Sequence, residues 1–595
     1  MKPYFACCAV LLCGTLGPAA AAAELPGDYF TLMKAATEPL QGEAALKPNA
    51  GAMLAAAVLY SKQHPANPSF HDKQKLDLAL ALGDLCAGQS AQDTAENKQD
   101  YEWEIHFWLD TYRLLGPELG ADRRGRWRTE IEKIVSWFAR ETAGRSDFPR
   151  YQSLYLRTSP NHLALFASTV YLAGRVLPKP EWEALGGRVL HRLAAEEQTA
   201  DGYWGEFTDN GPATGYNYLT LTCVALYWEH SRDPAALEAL RRATDFHKHF
   251  TWPDGTPVET INGRNRHWEV CPWGQFGFTH WPDGRRYAAF LAEHFAARSR
   301  ARAEGAASLG PTLLSLDGRE LGRIAQDALY CHEGPTAPIP QDLPCSAYRM
   351  KVPAGIRKTG PWTVCLSGLI DAPIESQFTL DRQAHLSIYH QRLGLIVAGA
   401  NSKHQPELAT FLEKTGDQVR AIPLGSHLRM GDDRDRLALA YETCFAEVEV
   451  PRPAGEQMPF RFIVTETGRN RLGDVRLNLQ LVLKAGETLQ TARTKIVLDE
   501  RRIELGPQQI GGWIRHHGWT LRVDPAVRLV WPVLPFSPYR NGPETDLRQA
   551  VGVLSAAVKV QPPPQGGLDW RRAEITFVLD ASPAGPGGPK GLEAR

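Results

Sequence analysis

Three polar clusters carry residue types that can do acid–base chemistry. The first is "SPNHLALFAST" (159–169), where Ser159 can cap a helix, Pro160 suits its first turn, and Asn161 and His162 stand just ahead of an apolar run. The second is "DGYWGEFTDNGPATGYNYLTL" (201–221), with Tyr216 and Tyr218 near the start of another helix. The third is the loop "ETINGRNRHWE" (259–269), with Asn262, Arg264, Asn265, Arg266 and His267. A helix start offers unpaired N–H groups and the positive end of the helix dipole, which favour an anion. Asn161 and His162 add donors there, and Arg264 or Arg266 adds a fixed positive charge. Such a set can grip a carboxylate and so acidify the hydrogen on the carbon next to it. A tyrosine phenol, whose reference pKa is about 10, is drawn toward phenolate by a nearby cation and can take that hydrogen. It can then return a proton to a departing oxygen. On a sugar acid, this sequence of steps is β-elimination across the glycosidic bond.

The elements that must position these residues have a rhythm. Helices start near Tyr101, Pro160 and Gly215, and each is followed by a short turn and a second helix near 123, 181 and 234. "WRTEIEKIVSWFARETA" (127–143) places Ile131, Ile134, Val135 and Phe138 on one stripe, and "RDPAAL" supplies Asp233 as cap with Pro234 in the first turn. Links within hairpins are short. Links between hairpins (144–159, 199–214 and 251–284) are long and all fall at the same end of the bundle, where function concentrates. This predicts an α/α toroid, an incomplete barrel of helical hairpins, over residues 24–310. After residue 310 the pattern changes to short β-rich runs ("WTVCLSGLI", "GLIVAGAN", "RFIVTET", "LNLQLVL", "EITFVLD"), which predict an antiparallel β-sandwich domain over 311–595.

Composition sets the limits. The chain has 595 residues, 43% hydrophobic and 22% charged, with net charge −1, so it is globular and no polycation built for nucleic acid. The opening "MKPYFACCAVLLCGTLGPAAAAAE" reads as a secretory signal over 1–23, which predicts an exported, periplasmic or secreted protein. Leu12 ahead of Cys13 is too bulky for a lipoprotein site, and no later run is long and apolar enough to predict a membrane span. Beyond the signal the cysteines are Cys86, Cys223, Cys271, Cys331, Cys345, Cys365 and Cys444; none forms a CxxC pair, and a disulfide among Cys331, Cys345 and Cys365 is open.

An Asn-His at a helix start, a "DG…G…GY" segment one repeat on and a "GR…R" loop resemble the α/α-toroid polysaccharide lyases. These include the hyaluronate/chondroitin AC lyases and the heparinase II/III and oligoalginate lyases. The resemblance implies that Asn161 and His162 neutralise the substrate carboxylate, that Tyr216 or Tyr218 is general base and acid, and that Arg264, with Arg266 beside it, stabilises the enolate-like intermediate. It implies an acidic, uronate-containing polysaccharide as substrate. The chondroitin AC type carries a His shortly before its Tyr; here that stretch reads "TDNGPAT", with Asn210. The heparinase type often carries zinc in its β domain, but His385, His390 and His404 do not follow that motif. The pattern therefore calls for no cofactor, although a structural divalent cation is compatible with it. Asn265, His267, Trp204, Trp268 and Asn210 are the further candidate substrate contacts, with Trp273 and Trp281 as other possible sugar platforms.

Plainer roles stand beside these. Asn161 can brace a loop, His162 can be structural, and one of the two tyrosines must be core, since two residues on a helix diverge by about 200°. "YEWEIHFWLD" (101–110) offers Trp103 and His106 to the cleft or to the core. Two other functions also fit. A glycoside hydrolase needs paired carboxylates, which Glu206 and Asp209, with Asp201 or Glu259, could supply. A glycan-binding protein needs none.

Overall fold

The computed structural model describes residues 25–40, 46–93, 100–145, 160–205, 211–264, 274–306, 317–370, 375–466, 473–523, 526–560 and 571–583. The helical part comprises α1 (Leu25–Thr37), α2 (Ala50–Ser61), α3 (Lys73–Gln92), α4 (Ile105–Leu114), α5 (Ala121–Arg145), α6 (Pro160–Val176), α7 (Pro180–Arg192), α8 (Thr214–Ser231), α9 (Pro234–His249), α10 (Pro282–Ala306) and α11 (Gly318–Tyr330). Local chemistry sets the helix starts. Asn49, Asp72 and Asp233 each accept a backbone N–H of the helix they precede. Asp317 and Glu320 close a capping box on α11.

The helices form two rings. α2, α4, α6 and α8 pack side by side, and α11 closes onto α2. Between α8 and α11 the described inner element is a short 3₁₀ turn, Gln275–Phe278, so among the described residues the inner ring lacks an α-helix at that position. α1, α3, α5, α7, α9 and α10 lie outside. Sequence follows position. In "AGAMLAAAVLYS" of α2 nearly every residue is buried, because an inner helix is covered on all sides. The outer α9 buries Ala236, Ala239, Leu240 and Ala243, at helical spacing on one face. The stripe of Ile131, Ile134, Val135 and Phe138 on α5 is fully buried. α11 corrects the boundary read near residue 310: the helical domain runs to Tyr330, and the first strand starts at Cys345. The spacing around 320 is helical, but the break in composition before it masks that.

The β domain is a sandwich of two antiparallel sheets. The first runs through Cys345–Arg349, Ala354–Thr359, Trp362–Ser367, Leu386–His390 and Gly394–Ala398, then Asp474–Leu481, Val551–Val558, Arg528–Val533 and Ile503–Leu505. The second centres on Arg572–Asp580, Gln457–Glu466 and Cys444–Pro451. Trp362, Phe460, Phe462, Trp519, Trp531 and Phe577 fill the layer between them. Cys331, Cys345 and Cys365 are free thiols, as are the other described cysteines. No described helix is long and apolar enough to cross a membrane.

A third core joins the domains. Tyr203, Phe246, Phe250, Trp252, Val258 and Ile261 of the toroid pack on Met350, Ile356, Cys365, Leu369 and Tyr389 of the first sheet. Trp252 stacks on Tyr389 with ring centroids 5.4 Å apart.

An ion-pair network pins α9 to α10. Asp283 accepts from Arg241 at 2.8 Å and from Lys248 at 2.5 Å. Burial pushes the Asp283 carboxyl upward, but the two cations outweigh it and hold the group far below the usual range. This stability is present above about pH 4, the unfolded value, and is lost as pH falls through the lower folded one. Asp283→Asn should therefore cost about 1–3 kcal/mol at pH 7, and the deficit should shrink in denaturant melts repeated toward pH 3.

Candidate functional site

α6 and α8 are parallel neighbours, and their register is fixed by the Cys223 thiol, which hydrogen-bonds Ser168. Ser168 in turn meets Nε2 of His106 on α4 at 3.1 Å. Seven residues back from Ser168 is Asn161, and seven back from Cys223 is Tyr216. Seven residues make two turns and return to the same helix face, about 10 Å higher. Asn161 and Tyr216 therefore each lie about two turns from that contact, toward the N-terminal ends of two packed helices.

Asn161 is 1% exposed, and neither its Oδ1 nor its Nδ2 has a hydrogen-bond partner among the described residues. A buried primary amide without partners costs about 1–3 kcal/mol, so a fold keeps one where a ligand will use it. His162 beside it is oriented by Glu102, whose Oε2 lies 2.9 Å from Nδ1. A carboxylate only accepts, so Nδ1 carries its proton toward Glu102 and Nε2 faces away. Trp103 meets the same ring edge-on, with centroids 5.7 Å apart. Sequence reading took in Trp103 but missed Glu102, which lies three residues before the start of α4 and 60 residues from its partner.

The Tyr216 hydroxyl hydrogen-bonds the hydroxyl of Tyr539. Tyr539 sits at the tip of a hairpin of the β domain, between the paired segments Phe536–Ser537 and Gly542–Pro543, and Gln377 holds that tip by donating to the Pro538 carbonyl at 2.8 Å. Arg264 lies between two rings, its guanidinium carbon 4.9 Å from the centre of Tyr216 and 5.0 Å from that of Phe378. Its Nη1 donates to the Phe378 carbonyl at 3.0 Å. The approach to this point is tight. Arg382, buried, donates to the Ile261 carbonyl at 2.7 Å and fills the space beside Gly211 and Gly263. A Cβ on those glycines would meet the guanidinium at 1.8 and 2.6 Å. A cleft of about 730 Å³, lined by Gln377, Asp381, Lys403, His404, Phe536 and Asn541, runs beside the hairpin.

Other candidates go elsewhere. Tyr218 is core: its hydroxyl meets that of Tyr287 at 3.0 Å, and its ring stacks on the buried His247 at 4.1 Å. Trp204 is corrected likewise. It is 2% exposed, its indole donates to the Leu193 carbonyl at 2.8 Å, and it offers no platform to a sugar. His106 is fully buried between α4 and α6, where burial pushes its pKa down to about 3. Of the carboxylates open to a hydrolase, Asp201 accepts from the backbone of Lys351 and Glu259 from Trp252 and Gly399. Asn210, Asn265, Arg266, His267 and Trp268 lie outside the described residues, as do Glu206 and Asp209.

No protein-family model and no curated protein matches this sequence. Solved structures with likeness to the chain include an unsaturated glucuronyl hydrolase specific for heparin (13% identity, 52% of this chain and 94% of that one, TM-score 0.34). A polysaccharide lyase matches at 10% identity over 51% of this chain and 98% of its own, with TM-score 0.33. A glycoside hydrolase matches at 9% identity over 94% of both chains, with TM-score 0.30. These values describe a distant likeness of architecture.

The partnerless amide makes a prediction. Asn161→Ala should leave thermal stability unchanged or raise it by up to about 1 kcal/mol, because it removes a polar group that no described residue satisfies. A large loss of stability, measured by calorimetry, would mean that the amide is structural.

Proposed function

We propose that this protein is a polysaccharide lyase that cleaves a uronate-containing acidic polysaccharide by β-elimination. What supports the reading is the buried Asn161 amide, which has no hydrogen-bond partner among the described residues, together with Tyr216, whose ring lies against the Arg264 guanidinium. A sugar carboxylate entering between α6 and α8 meets the Asn161 amide and Nε2 of His162. With its charge neutralised, the hydrogen on the adjacent carbon becomes acidic. The Tyr216 oxygen, as phenolate, takes that hydrogen; the electron pair forms a carbon–carbon double bond; and the glycosidic C–O bond one carbon further on breaks. The departing oxygen recovers a proton from Tyr216, which Tyr539 holds in position. Arg264 stabilises negative charge both on the phenol and on the enolate-like intermediate. In this reading the chain is exported, and the 730 Å³ cleft receives neighbouring sugar units.

The engagement of Asp201 and Glu259 in backbone hydrogen bonds weighs against hydrolysis by those two groups. The product separates the reactions: elimination leaves a double bond conjugated to the carboxylate, which absorbs in the ultraviolet, and hydrolysis leaves none. Incubation with alginate, hyaluronate, chondroitin and heparan-type polymers should raise ultraviolet absorbance on at least one. Tyr216→Phe should lower that rate by about 10²–10⁴-fold with the fold intact. Tyr218→Phe should keep activity within a few-fold and instead lose about 1 kcal/mol of stability with its bond to Tyr287. Shortened chains without absorbance would replace this reading with hydrolysis; binding without shortening would replace it with a glycan-binding role.

A further inference from the structure

The incomplete position of the inner ring holds a second cluster of chemically competent side chains. Glu229 ends α8, His280 follows the 3₁₀ turn that substitutes for an inner helix, and His332 follows α11. Oε1 of Glu229 lies 2.7 Å from Nε2 of His332 and 3.6 Å from Nε2 of His280. The three ligand atoms fall within 4.8 Å of one another. Glu229 is 13 residues along α8 from Tyr216, or about 20 Å at the helical rise, so the cluster is at the opposite end of the toroid from the candidate site.

We propose that Glu229, His280 and His332 bind a divalent transition-metal ion of the zinc type, which clamps the ends of α8 and α11 across the gap in the ring. Two imidazole nitrogens and one carboxylate oxygen are a donor set suited to Zn²⁺. Bonds of about 2.0–2.1 Å at tetrahedral angles put ligand atoms about 3.3 Å apart. The His280 pair already fits that spacing, and the His332 pair needs to open by only a few tenths of an ångström.

A second observation points to a ligand. The His280 side chain is 8% exposed, and its Nε2 has no hydrogen-bond partner among the described residues although it faces Glu229. The Glu229 carboxylate offers Oε1 to both imidazoles. Arg232 occupies the other oxygen, Oε2, at 3.2 Å, and so orients the carboxylate with Oε1 toward the imidazoles. The His332 side chain is 38% exposed, which leaves a path for the ion and room for water as a fourth ligand. Backbone contacts brace the same point: the His332 N–H donates to Thr279 Oγ1 at 2.9 Å.

The test uses the full mature chain, stripped with a chelator and titrated with Zn²⁺ and, separately, Co²⁺. One Zn²⁺ should bind per chain and raise the unfolding temperature by several degrees. Co²⁺ should give the intense visible bands of a low-coordinate site. His280→Gln and His332→Gln should each weaken binding at least 100-fold and abolish the temperature shift. No stoichiometric Zn²⁺ and no Co²⁺ bands with the wild type would overturn the proposal, and so would variants that bind as the wild type does. If either variant fails to fold, the wild-type Co²⁺ spectrum and stoichiometry decide alone. None of these readouts depends on polysaccharide cleavage.

Discussion

The carboxylate of Glu259 is buried in the seam between the toroid and the sandwich, and the geometry of the candidate site depends on it. One oxygen accepts the Trp252 indole at 2.9 Å and the other accepts the Gly399 backbone at 3.0 Å. A buried carboxylate is tolerated only when its lone pairs are met, so this group holds both domains in one relative position. The loop that carries Arg264 leaves directly from Glu259. Asp201 repeats the device by capping the Lys351 backbone at 2.7 Å. Around the two carboxylates, the apolar contacts of Trp252, Phe250, Ile356 and Tyr389 exclude water and make the bonds rigid.

With the seam fixed, separate parts of the chain supply the candidate residues, and Tyr216, Arg264, Phe378 and Tyr539 touch one another. α6 contributes Asn161 and His162, α8 contributes Tyr216, the loop after Glu259 contributes Arg264, and the sandwich contributes Phe378 and Tyr539. The stacking of Arg264 between Tyr216 and Phe378 draws on rings from both domains. Neither domain alone could form that sandwich. An Asn161 amide without a partner among the described residues is consistent with a site shaped for a ligand.

The two ends of the toroid differ in kind. At one end, the starts of α6 and α8 carry Asn161, His162 and Tyr216, with Arg264 against Tyr216. At the other, Glu229, His280 and His332 gather beside the short 3₁₀ turn that stands between α8 and α11. Repeats that cannot bury their faces alone depend on neighbours for stability, so a weak position in the ring requires its own tie.

Period and capping residues were enough to determine the hairpins. Pro160 and Asp233 with Pro234 mark helix starts at Pro160 and Pro234. Alternation from about residue 345 onward determined the antiparallel strands. The place of Asn161 and Tyr216 near helix starts was also implicit, because parallel helices of one repeat start at one rim. Sequence could not choose between Tyr216 and Tyr218, since both types and both spacings suit the same helix; Tyr287, 69 residues on, satisfies Tyr218 and leaves Tyr216 for the rim. Glu102, Phe378 and Tyr539 were invisible for the same reason. Their partners are 60, 114 and 323 residues away, and only the closing of the ring and the docking of the sandwich bring such distant groups within the few ångströms at which hydrogen bonds and stacking act.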